Sequence, residues 1–304
     1  MTNREKERLA MRALGKGYYH FCTDGWKGGK LFNNTAEYAF GMILMGLITL
    51  RHSLRIYAFT LMPNHIHIIL SGTGEDCLEA FDFLRRKLSA RLRKDGFRPL
   101  PEDYWFAMER IETPEKMRGE ILYVLRNALE EDLGIVGGYL WSSGWLYHSG
   151  FCELLNADPA RKYTRRQLIQ LLGGTDEIPS HWRLHPYLGL LPDAFVDTSV
   201  VLDLFPTAKD LQTALVKDYE VQYQIAGRLG ELARFNKEET ESIVSQTLQK
   251  RFEGRSLRSM TDTEKGKLAI ILNREFGLNP YQISTSIYIK KEIVQQLLNA
   301  KELR

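Results

Sequence analysis

The chain has 304 residues, of which 44% are hydrophobic and 26% charged, and a formal net charge of +3. That length accommodates two domains, and the composition is that of an ordinary globular protein rather than a disordered or fibrous one. The small net charge excludes a global basic field, so any contact with nucleic acid has to come from local clusters.

Tyr18 to Thr23 is a short aromatic run closed by Asp24-Gly25 and predicts a strand. Asn33-Asn34-Thr35 offers an N-cap for a helix from about Ala36 to Thr49. Leu54 to Leu61 is β-rich and turns at Met62-Pro63-Asn64 into a second strand, so the two form a hairpin. From Glu75 to Lys94, Leu78, Phe81, Leu84, Leu88 and Leu92 follow a helical period. Tyr104 to Ile111 reads as a fourth strand, and a long helix from about Pro114 to Leu133 stops near Gly134.

This order implies an α+β fold: a ferredoxin-like antiparallel sheet with its helices packed on one face. Beyond Gly150 strand-like runs become scarce, and Thr164–Leu172, Ala208–Leu232 and Lys237–Phe252 look helical. The expected organisation is a first domain over 1–150, a helical middle region over 151–245 and a helical domain over 246–304. The region after 150 is thus expected to be all-α.

Three cysteines, Cys22, Cys77 and Cys152, cannot all pair and have no zinc spacing, which suggests a reducing compartment. The longest apolar stretch, 38–50, is too short for a bilayer, and the charged N-terminus lacks a signal-peptide core. A cytoplasmic protein without membrane contact is expected.

The hairpin carries the most informative residues, Thr60-Leu61-Met62-Pro63-Asn64-His65-Ile66-His67-Ile68-Ile69-Leu70. In a strand, His65 and His67 point to the same side about 7 Å apart, while Ile66 and Ile68 point to the other. Two imidazoles on a rigid strand are a platform for a divalent metal. Taken alone, the pair is equally a pair of edge-strand or core histidines.

A second pattern lies in the helix after the fourth strand, Tyr123-Val124-Leu125-Arg126-Asn127. Residues four apart share a helical face, so Tyr123 and Asn127 stand together with Arg126 beside them. Alone this is a polar stripe. Beside two histidines it gains a chemical meaning: the carboxamide oxygen is a further metal donor, and the phenol can be aimed at a phosphate. A tyrosine hydroxyl is a weak nucleophile at neutral pH, and a divalent ion offsets charge and stabilises a departing 3′ oxygen. Attack leaves a 5′-phosphotyrosine linkage and a free 3′-hydroxyl, so strands can be cut and rejoined without ATP.

At these residues the chain resembles the single-tyrosine HUH transposases, most closely the REP-associated tyrosine transposase (IS200-like) group. Leu61 to Leu70 resembles the family's LMPNHxH strand, Tyr123 to Asn127 its Tyr-Ile-x-x-Asn-Pro helix, and Tyr139-Leu140-Trp141-Ser142-Ser143 its Tyr-Pro-Trp-Ser-Ser segment. The three fall in the family's order within about the first 150 residues. The resemblance implies His65 and His67 as metal ligands, Asn127 as the third donor and Tyr123 as the nucleophile. It also implies Mg²⁺ or Mn²⁺, a homodimer, and folded single-stranded DNA with a hairpin as substrate. Ala128 and Leu140 stand where the family has proline, which marks a divergent branch.

For DNA contact the sequence offers Arg85, Arg86, Lys87, Arg91, Arg93 and Lys94 on one helix, together with Arg126. The N-terminal arm, with Arg4, Lys6, Arg8, Arg12 and Lys16, is a second candidate, though acids interleave there. Tyr18, Tyr19, Trp26, Trp105 and Phe106 could stack on unpaired bases or belong to the core. Near the end, Ile283, Ile287, Ile289, Val294 and Leu298 have the spacing of a helix-turn-helix whose recognition helix runs from about Lys290 to Ala300. Lys290 and Lys291 would face DNA, and Tyr288 at the turn counts against the motif. A plain helical bundle is the alternative for this segment.

The function expected is therefore metal-dependent cleavage and rejoining of single-stranded DNA, as in transposition, by a nucleoid-associated protein. Two alternatives remain: a domesticated DNA-binding regulator that keeps the fold, and a replication-initiator or relaxase nuclease.

Overall fold

The computed structural model describes residues 3–25, 29–130, 139–217, 237–276, 278 and 280–302. Trp26, proposed above as a base-stacking residue, lies outside them. The chain divides into two compact units, Met1–Leu215 and Val216–Arg304.

The first unit opens with α1 (Asn3–Arg12), followed by β1 (Gly17–Thr23), α2 (Thr35–Arg51), β2 (Arg55–Leu61), β3 (Ile66–Gly72), α3 (Gly74–Lys94), β4 (Phe106–Ile111) and α4 (Pro114–Glu130). The four strands form one antiparallel sheet in the order β2-β3-β1-β4. Asn34 caps α2 by accepting from the backbone N–H of Glu37, as its position before the apolar run predicts. Thr73 and Asp76 form a capping box on α3.

Alternation along the strands sorts the two faces of the sheet. Tyr19, Phe21, Phe59, Leu61, Ile66, Ile68 and Leu70 enter a buried core shared with α2 and α3, including Met45, Phe81 and Leu84. His20, Thr60 and His67 point to the opposite face, where α4 lies: Thr60 Oγ1 donates to the Val124 carbonyl at 2.7 Å, and His20 meets Glu120. The expectation that all helices share one face is therefore corrected. Helices cover both faces, because the β1 and β3 residues opposite the apolar set are themselves buried and need a cover.

The expected boundary near 150 is corrected as well. After α4 come α5 (Phe151–Leu154), β5 (Asp158–Pro159), α6 (Arg165–Leu172), β6 (Arg183–His185), β7 (Gly189–Leu190), α7 (Ser199–Leu204) and α8 (Ala208–Lys217). Strands β5, β6 and β7 form a small antiparallel sheet, so this stretch is not all-α. Leu172, Trp182, Leu184, Leu190 and Phe195 join the core of the main sheet. The contact with α2 is close: a Cβ on Gly46 would stand 2.2 Å from Leu190 Cδ2, and one on Gly189, at φ +72°, would stand 2.2 Å from the Ala39 carbonyl. A stretch that completes the first core cannot be a separate region.

The second unit contains α9 (Lys237–Arg251), α10 (Asp262–Phe276), α11 (Pro280–Ile287) and α12 (Lys291–Glu302). Its core is built from Ile243, Val244, Leu248, Leu268, Leu272, Ile283, Ile287 and Val294. Helix α9 thus belongs with this unit, earlier than the expected start at 246. Among the described residues no helix is long and apolar enough to cross a membrane. Cys22, Cys77 and Cys152 are buried free thiols.

Candidate active site

Strand β1 places His20 and Cys22 beside β3, where Cys22 pairs in register with His67. His65 stands just before β3, in a turn closed by the Met62 N–H donating to the His65 carbonyl at 2.8 Å. The bend brings the rings of His65 and His67 to a centroid separation of 4.7 Å at an interplanar angle of 84°. The two imidazoles therefore stand side by side, as the alternation argument requires, although only His67 lies within the strand.

Helix α4 is held over this face by its buried Met117, Ile121, Leu122, Val124 and Leu125. Its polar residues Glu120, Tyr123 and Asn127 recur at spacings of three and four and so share the side facing the sheet. The Tyr123 ring lies 5.4 Å from that of His67 and 5.7 Å from that of His20. Asn127 Nδ2 donates to the Tyr123 carbonyl at 2.9 Å, and its carboxamide also hydrogen-bonds the His67 ring. The group is well enclosed, with His67 at 0%, Asn127 at 4% and Tyr123 at 5% of full exposure, while His65 is half-buried.

Two residues absent from the sequence reading complete the cluster. His20 Nδ1 lies 2.7 Å from Glu120 Oε2, and His20 Nε2 lies 3.1 Å from His67 Nδ1, with all three residues fully buried. Cys22 Sγ approaches His67 Nε2 at 4.0 Å. Glu120 could have been found by extending the Tyr123–Asn127 face one turn toward the N-terminus. His20 could have been found from the alternation of Tyr19, His20 and Phe21. Burial pushes the His67 imidazole well below its ordinary pKa, the neighbouring His20 acts in the same sense, and the hydrogen bond from Asn127 opposes both.

Among the described residues no three His, Cys, Asp or Glu side chains group in a way that would hold a metal ion. A donor set has to include the carboxamide. The Asn127 side chain donates to the Tyr123 carbonyl and also hydrogen-bonds the His67 ring, so its carboxamide is at hand for such a set. Two imidazole nitrogens and one amide oxygen would suit a divalent ion of intermediate hardness such as Mn²⁺, with Mg²⁺ as the harder alternative.

The cations expected to meet DNA are differently placed. Arg126 is 2% exposed, which corrects its assignment as a surface contact. Helix α3 covers the sheet face opposite the histidines. There, Lys87 pairs with Asp176 at 2.9 Å and Arg91 with Asp95 at 2.5 Å, and Arg85 donates to the Glu102 carbonyl. Arg86, Arg93 and Lys94 are exposed. In the N-terminal arm, Arg8 pairs with Asp82, and both Arg4 and Arg8 lie over the Trp105 ring. Lys290 and Lys291 are exposed at the start of α12.

Of the proposed stacking aromatics, Tyr19 and Phe106 are core, whereas Tyr18 is 40% exposed. A stack of Phe32, Tyr38 and Trp141, with centroids 4.8 and 5.0 Å apart, was not anticipated. The Tyr139–Ser143 segment covers the edge of β2: the Leu61 N–H donates to the Trp141 carbonyl, the Ser143 N–H to the Phe59 carbonyl, and the Tyr139 hydroxyl to the Leu61 carbonyl.

No family model matches the chain, and no curated protein matches it. The fold is similar to a solved structure of a REP-associated tyrosine transposase bound to a REP hairpin. The match has 14% identity and a TM-score of 0.35, over 55% of this chain and 92% of that one. Assignment of roles accordingly rests on the side-chain geometry of this chain.

Proposed function

We propose that the chain is an HUH-type strand transferase that cuts and rejoins single-stranded DNA through Tyr123. The observation that carries this reading is the contact of the Tyr123 ring with His67, one helical turn from Asn127 and beside His65. The strand order β2-β3-β1-β4, with helices between β1 and β2 and between β3 and β4, is the order of a ferredoxin-like layer and supports the same reading.

His65, His67 and the Oδ1 of Asn127 would hold Mg²⁺ or Mn²⁺. When bound, the ion supplies charge neutralisation at the scissile phosphate and at the departing 3′ oxygen. The Tyr123 oxygen forms a bond to phosphorus as the bond to the 3′ oxygen breaks; the phenolic proton is lost and the 3′ oxygen leaves as a hydroxyl. One phosphodiester replaces another, so the reverse attack by a DNA 3′ end rejoins strands without added energy. The family resemblance adds a homodimer and a nucleoid-associated location to this reading.

The second unit supports a further DNA contact. Helices α11 and α12 enclose a turn at which Tyr288 takes the left-handed conformation, at φ +55°. Ile283, Ile287 and Val294 are fully buried between them, as in a helix-turn-helix. Lys290 and Lys291 at the head of α12 would meet duplex phosphates, so replacing both by Glu lowers duplex affinity and flattens its salt dependence.

The deciding experiment is incubation with end-labelled, hairpin-containing single strands and Mn²⁺. A covalent protein–DNA adduct is expected with the wild-type chain and none with Tyr123→Phe. An adduct that persists in Tyr123→Phe removes the tyrosine from its role. Hairpin binding indifferent to both metal and Tyr123 favours the regulator.

A further inference from the structure

The backbone of the Tyr139–Ser143 segment closes the edge of β2 without help from its largest side chain. The Leu61 N–H donates to the Trp141 carbonyl at 2.8 Å and the Ser143 N–H to the Phe59 carbonyl at 2.9 Å, both main-chain bonds. The Trp141 indole stacks instead on Tyr38, with centroids 5.0 Å apart at 17°, and Tyr38 stacks on Phe32 at 4.8 Å and 26°. The three rings form a column of nearly parallel planes. Its inner end, Phe32, is 2% exposed, whereas Tyr38 and Trp141 are half-buried, so the column runs from the core to the surface. Among the described residues the Trp141 side chain has no other ring, cation or hydrogen-bond partner, and the column ends there.

Both ends of the column are tied to the hairpin that carries the histidines. The N–H groups of Leu31 and Phe32 donate to the Pro63 carbonyl, two residues before His65. Trp141 lies beside Leu61, which pairs with Ile66, the residue between His65 and His67. Two strand spacings, about 10 Å, therefore separate the backbone of Trp141 from that of Ile66. Ser142 bridges to Thr60, whose hydroxyl reaches α4 on the histidine face, while Trp141 turns to Tyr38 on α2. The segment thus straddles the sheet edge next to the candidate site. We propose that Trp141 is a stacking platform for one unpaired base of the DNA strand, held close to the scissile phosphate. The base adds a fourth plane to the column, and Tyr38 already fixes the opposite face of the indole, so little ordering is lost on binding. Every base has a π-face, so the contact supplies affinity and register rather than sequence preference.

This inference rests on the reading of the chain as acting on single-stranded DNA, and its test needs no cleavage. The probe is a fluorescein-labelled DNA hairpin with single-stranded thymidine flanks, bound to the full-length chain in EDTA and followed by anisotropy. Trp141→Leu should weaken binding by roughly 5–150-fold, the range of one stacked base, and Trp141→Phe by less. Replacing the flank nucleotides one at a time by abasic sites should reveal one position that costs the wild-type chain a similar factor. At that position, and at no other, Trp141→Leu should cost nothing further. With 5-fluorotryptophan in the wild-type chain, the Trp141 ¹⁹F resonance, assigned by its loss in Trp141→Phe, should shift with the intact strand and not with the strand abasic at that position.

Wild-type affinity in Trp141→Leu overturns the proposal, as does an equal loss on the intact strand and on every abasic strand, which would mark the indole as a support of the β2 edge alone. If Trp141→Leu does not fold, the ¹⁹F resonance decides, and a signal that no strand moves overturns the proposal. Coupling between Trp141 and one base without any DNA adduct upholds the platform and defeats the strand-transfer reading. Adduct formation at Tyr123 without that coupling does the reverse.

Discussion

The rings of His67 and Tyr123 meet edge to face, with centroids 5.4 Å apart and an interplanar angle of 86°. The phenol ring is therefore held against His67 by packing. Tyr123→Phe keeps the ring and this contact, so the melting temperature should move by no more than about 1–2 °C, the range of a change within about 0.5 kcal/mol. Adduct formation with hairpin DNA should vanish in the same variant. Loss of the fold together with the adduct would recast Tyr123 as a core residue.

The two histidines should separate in their effects on stability. His67 is fully buried and holds His20 by a hydrogen bond, so His67→Ala leaves a cavity and disturbs a buried polar chain. A cost of about 2–4 kcal/mol is expected, read as an earlier unfolding midpoint in urea. His65 is half-buried in a turn, and His65→Ala should cost less than about 1 kcal/mol while still abolishing Mn²⁺ binding. Equal destabilisation by the two would contradict the difference in burial.

Much of this was legible in the chain because period and capping are local. The Asn34 cap, the hairpin through Pro63 and the shared face of Tyr123 and Asn127 follow from spacing alone. What spacing does not carry is pairing at a distance. His20 and Glu120 are 100 residues apart and gain meaning only when β1 lies between β3 and β4. The placement of residues 151–215 was hidden for the same reason. Gly46 and Gly189 look like breakers in sequence, yet they are the points of close approach between α2 and the later strands.

Acid should destabilise the metal-free protein in a defined direction. Burial above all, then His20, lowers the His67 pKa well below 6.5; burial also lowers that of the partly buried His52. For such a group the unfolded chain binds a proton that the folded chain excludes. Its contribution is complete above the unfolded value and is lost as pH falls through and below 6.5. With EDTA present, the unfolding midpoint should drop between pH 7.5 and 5.5, with a slope of at most about 1.4 kcal/mol per pH unit for each such group. His67→Gln should flatten part of that slope. A midpoint that rises on acidification would show that these rings are charged in the fold.

Truncation tests where the first unit ends. A fragment of residues 1–150 lacks Leu172, Trp182, Leu190 and Phe195, all of which bury against the main core. Fully burying one such side chain contributes about 1.5–3 kcal/mol, so removing four costs as much as the whole stability of a typical domain. That fragment should be insoluble or show no cooperative melt, whereas residues 1–215 should melt cooperatively. A well-folded 1–150 fragment would restore the boundary that composition alone suggested.

Tyr288 tests the turn of the second unit. Its φ of +55° places a side-chain-bearing residue in the left-handed region, between α11 and α12, and the ring is 77% exposed. The conformation costs an L-residue about 1–2 kcal/mol, whereas glycine adopts it without strain but gives up about 0.5–1 kcal/mol through the freedom of its unfolded chain. The balance favours glycine, and because the ring is exposed little packing is lost. Tyr288→Gly should therefore slow amide exchange at the buried Ile283, Ile287 and Val294 by a few-fold, equivalent to about 0.5–1 kcal/mol. The substitution also leaves Lys290 and Lys291 in place, so duplex affinity should persist if the lysines rather than the ring make the contact. Faster exchange in the variant would mean that the tyrosine ring stabilises the turn by a contact stronger than the strain it imposes.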